Sequence, residues 1–134
     1  MRGLPAIAAL LLVAAALVGC GADGSERDVA ATVERFQAAL GARDGGAACA
    51  ELTPAARETL ASQEKAPCPR AVLSLDLRGG GTVTRSDVYL TSALAEVSGR
   101  GSAFLDQTPA GWRISAAGCA PTAPDRPYDC ELEA

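Results

Sequence analysis

Residues 82–116 read TVTRSDVYLTSALAEVSGRGSAFLDQTPAGWRISA, and this stretch decides the fold. Apolar and polar residues alternate along it, as they do in a strand with one face buried. From Thr82 to Leu90, Val88 and Leu90 stand opposite Arg85 and Asp87. Ala93, Ala95 and Val97 mark a second run. Gly99-Arg100-Gly101 turns the chain into Ser102–Gln107, which offers Phe104 to a core. Thr108-Pro109-Ala110-Gly111 has the composition of a hairpin turn. Trp112, Ile114 and Ala116 form the next run.

Upstream, Ala71, Leu73, Leu75 and Leu77 alternate with Val72, Ser74, Asp76 and Arg78, which predicts one more strand before the turn Gly79-Gly80-Gly81. Further back the period changes. Val29, Val33, Phe36 and Leu40 recur at helical spacing behind a start at Ser25-Glu26-Arg27-Asp28, and Gly41 is a natural stop. Phe36 is read as core. After the turn at Asp44-Gly45-Gly46, capped by Asp44 or Gly46, a short helix is expected through Cys49 and Leu52. Thr53-Pro54 reads as N-cap followed by proline at the first helical position. That third helix turns Ala56 and Leu60 inward and ends at Ala66-Pro67-Cys68-Pro69. Helices followed by four or five antiparallel strands make an α+β domain.

The N-terminus carries a different signal. Met1-Arg2 precedes an apolar run from Leu4 to Val18, the layout of a secretory signal peptide. The run ends Leu17-Val18-Gly19-Cys20, which looks like a bacterial lipobox: a small residue at a narrow peptidase site, then the thiol that takes the diacylglyceryl group. A membrane-spanning helix needs about 20 apolar residues, and Pro5 and Gly19 interrupt this shorter run. The expected organisation is a cleaved signal peptide over 1–19, lipidated Cys20 with a short tether over 20–25, and one domain over 26–134. Two acyl chains, palmitate among them, anchor stably where one is marginal. The expected location is the extracytoplasmic face of the cell membrane, with membrane lipid as the partner of acylated Cys20.

Loss of Arg2 takes the basic residues from 12 to 11 against 16 acidic ones, a net charge of −5. That balance argues against nucleic-acid binding, which needs basic groups on phosphates. Large side chains are few, with two Phe, two Tyr, one Trp and one Met. A core of Leu, Val and Ala buries less area per residue, so covalent support is useful.

Cys49, Cys68, Cys119 and Cys130 remain beside Cys20, an even number in an exported chain, which points to two disulfides. Three pairings can be drawn. Cys49–Cys68 with Cys119–Cys130 is favoured because each closes a short local loop. No histidine is present and no Cys-x-x-Cys occurs, so neither a zinc site nor a histidine-activated thiol is expected. The tail from Gly118 to Cys130 is expected to be a cysteine-closed loop.

The order of these features resembles the nuclear-transport-factor-2-like superfamily, and more closely the small secreted actinobacterial lipoproteins of that fold. The residues carrying the likeness are Asp44-Gly45-Gly46-Ala47-Ala48-Cys49, Leu52-Thr53-Pro54-Ala55-Ala56-Arg57, Gly111-Trp112-Arg113-Ile114 and Pro127-Tyr128-Asp129-Cys130-Glu131. Eleven arginines against the single Lys65, with abundant Ala and Gly, suit a GC-rich genome. The resemblance implies helices packed on a curved antiparallel sheet that closes as a cone. Enzymes of that superfamily use the interior as an apolar pocket with a few acid–base groups. Those resembling ketosteroid isomerase hold an enolate with an Asp base and a phenol or protonated acid; here Phe36 stands where a phenolic donor would sit. Those resembling scytalone dehydratase use histidine, which this chain lacks.

Asp87 and Tyr89 share one strand face and are the acid–phenol pair available to a pocket. Their plainer role is on the solvent face with Arg85. The expectation is a non-enzymatic binding or accessory module, needing no cofactor and no metal, with an envelope protein or small apolar ligand as partner. The alternative is an isomerase- or dehydratase-like enzyme using the cone pocket.

Overall fold

The computed structural model describes residues 22–134. The expected signal peptide, Cys20 and its lipobox lie outside the described residues. The chain is α+β: helices α1 (Ala22–Gly41), α2 (Gly45–Ala50), α3 (Pro54–Glu64) and α4 (Cys68–Ser74) precede strands β1 (Val83–Tyr89), β2 (Ser92–Val97), β3 (Gly101–Thr108), β4 (Gly111–Pro121) and β5 (Tyr128–Glu133). The strands form one antiparallel sheet in the order β1-β2-β3-β4-β5. Register shifts interrupt the β1–β2 and β3–β4 ladders, and such bulges bend strands and increase their twist.

α1 lays Val29, Val33, Phe36 and Leu40 into the core, as their spacing predicted. It begins at Ala22, inside the stretch read as a tether. Asp and Ser are favoured near a helix start, so this short polar sequence suits a first turn as well as a linker. Gln37 ties the far end of α1 to the glycine turn: its Oε1 accepts from Gly81 N at 3.1 Å and its carbonyl accepts from Gly80 N at 3.1 Å. Gly79 is required there, since a β-carbon would collide with the Gly41 backbone.

Asp44 caps α2, its Oδ1 accepting from Ala47 N at 3.0 Å. Thr53 caps α3, its Oγ1 accepting from Ala56 N at 3.1 Å, with Pro54 behind it as read from the sequence. A short parallel bridge stitches the helix layer to the sheet: Thr53 N donates to Ile114 O at 2.9 Å, and Ile114 N donates to Glu51 O at 2.8 Å. Both disulfides pair locally as favoured, Cys49 with Cys68 and Cys119 with Cys130. The first joins α2 to the opening of α4. Gly45 lets these two helices touch, because a β-carbon there would strike the Pro69 carbonyl.

Two elements differ from the expectation. Residues 71–77, read as a strand, are the end of α4 and a short extended exit. Ala71, Val72 and Leu75 also fit one helical face at i, i+1 and i+4. Pro69 in the first turn and the disulfide at Cys68 favour the helix. The tail read as a closed loop is instead the second half of β4, a loop over 122–127, and β5. Cys119 and Cys130 face each other across that last ladder, so the bridge clips an edge strand to the sheet.

Candidate functional site

The sheet has one covered face. Ala93, Ala95, Ala103, Leu105, Trp112 and Ile114 meet Val29, Val33 and Phe36 of α1 in a single apolar cluster. Thr32, Gln37 and Thr53 are its buried polar residues among those described. Two are accounted for above, and Thr32 Oγ1 donates to Asp28 O within α1 at 2.9 Å. No ionisable side chain is buried inside the sheet among the described residues. These side chains occupy the space between the sheet and α1.

Ionisable groups gather at the surface. A groove of about 220 Å³ is rimmed by Asp76, Arg78, Arg100 and Glu131. Arg100 is occupied structurally, its guanidinium donating to the Gly79 carbonyl at 3.1 Å and the Gly99 carbonyl at 3.0 Å. A second groove, about 340 Å³, runs between Glu26, Arg27 and Ala30 of α1 and Val83–Ser86 of β1. Ser86 Oγ is buried there without a hydrogen-bond partner. A third, about 290 Å³, lies between the start of α1 at Ser25 and Asp28 and the β3–β4 turn at Ala110 and Gly111. These three are lined by surface side chains and bring no acid and phenol together; a fourth groove, about 500 Å³, lies over the loop before β5 and is lined by Pro121, Pro124, Asp125, Arg126 and Tyr128.

The sequence pair Asp87 and Tyr89 lies on the other face of the sheet. Val88 and Ser86 pair with Ala93 and Ala95, which point to the helices; Asp87 pairs with Leu94, and Tyr89 with Ser92, which do not. Asp87 accepts from Arg85 at 2.9 Å. The hydrogen bond and charge of Asp87 raise the Arg85 guanidinium above its ordinary value. Tyr89 is 61% exposed. The pair is therefore part of a charged, solvated strand face, and neither residue lines the grooves described above.

That face has a definite layout. Leu94 of β2 lies beside Phe104 of β3. The Phe104 ring meets Tyr128 of β5 edge to face, with centroids 5.1 Å apart. Arg85, Asp87, Glu96, Asp106 and Arg113 surround this half-buried apolar strip. Phe104, expected in the core, is thus on the open side, because the strand runs one register out from Ala103 and Leu105. At the helix layer, Arg35 makes a two-pronged contact with Glu51 at 2.8 and 3.0 Å. The hydrogen bond to Glu51 raises the guanidinium of Arg35. This pair joins α1 to the end of α2 and is exposed enough to contribute only about 1 kcal/mol or less.

One exposed residue escaped the sequence pattern. Leu90 continues the alternation with Val88, yet it is 94% exposed and has φ of +56°. It is the first of two loop residues between the paired Tyr89 and Ser92. The only signal available in the sequence was the spacing itself: two strands this close require a two-residue turn at Leu90-Thr91.

No protein-family model, curated protein or solved structure matches the chain.

Proposed function

We propose that this chain is a bacterial lipoprotein, cleaved before Cys20, acylated there, and displayed on the extracytoplasmic face of the cell membrane as a non-enzymatic binding or accessory module. The observation that carries the reading is the pair of closed disulfides in a chain of this size, since such bridges persist in oxidising compartments. The signal and Leu17-Val18-Gly19-Cys20 supply the route and the anchor. The finer fold reading is a nuclear-transport-factor-2-like cone, supported by helices that precede a bulged antiparallel meander. The filled interior favours contacts on the outer surface over chemistry in a pocket.

Replacement of Cys20 by serine tests the anchor. Membrane fractionation should show the variant released, or held as a longer precursor. A variant that stays membrane-bound at the mature size would contradict lipidation. Cross-linking in intact cells then tests the module: a protein neighbour trapped on the outer surface is the expected result. Thermal-shift screening with apolar small molecules should give no stabilisation, and a clear shift would move the reading to a ligand carrier.

A further inference from the structure

Leu90 is an unfavourable choice twice over. A positive φ suits glycine or asparagine, and costs a branched side chain steric strain. The first position of a two-residue hairpin loop is a place where glycine is common. Full exposure of a leucine also forfeits the gain of burial. Neither disadvantage is offset within the domain, since Leu90 packs on nothing in the core cluster. Tyr89, an amphipathic side chain of the kind that settles at water–lipid boundaries, stands next to it at 61% exposure.

The position of this tip suggests what covers it. α1 and β1 run side by side. Gln37 of α1 holds Gly80 and Gly81, whereas Glu26, Arg27 and Ala30 share a groove with Val83–Ser86. Each step toward the start of α1 is thus a step toward the end of β1. In that antiparallel order the groove sets Glu26 level with Ser86, and going from Glu26 to Gly24 rises about 3 Å at 1.5 Å per residue. Going from Ser86 to Leu90 advances about 13 Å at 3.3 Å per residue. Leu90 therefore projects about 10 Å past the level of Gly24, on the side from which the chain enters α1. The β3–β4 turn is at the same end: Gln107 N donates to Thr91 O at 2.8 Å, and Ala110 and Gly111 share a groove with Ser25 and Asp28. Cys20 stands two residues before Ala22, a reach of at most about 7 Å.

From this juxtaposition we infer that the Tyr89–Leu90 tip rests in the phospholipid headgroup layer beside the acyl anchor. The inference builds on the lipoprotein reading above. A single leucine and tyrosine would not recruit a free domain to a bilayer. Tethering makes the contact intramolecular, so a weak apolar insertion is populated. The tip then fixes which way the domain stands: the Gly99–Arg100 turn and the end of α1, at the opposite pole, point away from the membrane. Because the contact is apolar and the neighbouring Arg85 and Asp87 pair with each other, it should be insensitive to salt.

The test uses the full acylated protein, one copy per phosphatidylethanolamine/phosphatidylglycerol nanodisc, with a nitroxide on the lipid headgroup. Amide NMR signals of Leu90, Thr91 and Ala110 should be attenuated several-fold more than those of Arg43, Gly99 and Arg100. Leu90→Asn should abolish the excess attenuation at the tip while unfolding at the same temperature or higher. Uniform attenuation, stronger attenuation at Gly99–Arg100, or an unchanged Leu90→Asn pattern would overturn the inference. So would an effect seen only when two copies share a disc, which assigns the tip to a second copy. Mass spectrometry of the same sample separates the two claims. An acylated Cys20 without tip attenuation rejects the tip contact alone, and an unacylated Cys20 rejects both.

Discussion

The two faces of the sheet are built from the same strands and do opposite things. On the helix side, Ala93, Leu105, Trp112 and Ile114 are buried against α1 and the helix layer. On the open side, the alternate residues Asp87, Leu94, Phe104 and Asp106 are half-buried or exposed, and no helix among the described residues covers them. The difference teaches where function can be sought. The helix side is occupied by buried side chains, whereas the open face and the turns at its ends meet the surroundings.

Four measurements sharpen this contrast. The largest effect is expected for Ile114→Ala, which empties a fully buried site and also lies at the bridge to Leu52; denaturant unfolding should show a loss of about 2–5 kcal/mol. Removal of the Cys49–Cys68 bridge by paired serine substitutions should cost about 3 kcal/mol, the chain-entropy value for a closed loop of this kind at a separation of 19 residues. On the open face, Leu94→Ala should cost about 1 kcal/mol, since the side chain is only partly removed from water. The smallest effect belongs to Asp87→Asn: the melting temperature should not move measurably, because its partner Arg85 is exposed. A large loss from Leu94→Ala, or a small one from Ile114→Ala, would break the distinction between the faces.

Much of this contrast was legible in the sequence. The period-two alternation from Thr82 to Ala116 located four strands and most of the inward residues. The helical spacing of Val29, Val33, Phe36 and Leu40 located the helix that covers them. Thr53-Pro54 and Asp44 announced their caps because capping is a local interaction. Three features were hidden for identifiable reasons. Residues 71–77 are so rich in apolar side chains that they satisfy both periods, and only the proline and disulfide at the start of α4 decide between them. β5 was masked by Pro121, Pro124 and Pro127, although its pairing puts Cys130 opposite Cys119. Leu90 follows the inward pattern of Val88, but the turn takes it out of the strand before that pattern applies. The candidate pair Asp87 and Tyr89 was correctly placed on one strand face; which side that face occupied depended on register against β2, a long-range property.

Taken as a whole, the domain is a helix-backed sheet stapled by two disulfides, with its open surfaces rather than its interior facing the environment. The proposed anchor at Cys20 would give those surfaces a fixed neighbourhood. The most direct measurement is the mass of the N-terminal peptide of protein purified from the membrane fraction of its host. The account predicts a mature chain beginning at Cys20 and carrying a diacylglyceryl group. A peptide that begins at Met1, or one that begins at Cys20 with a free thiol, would contradict it.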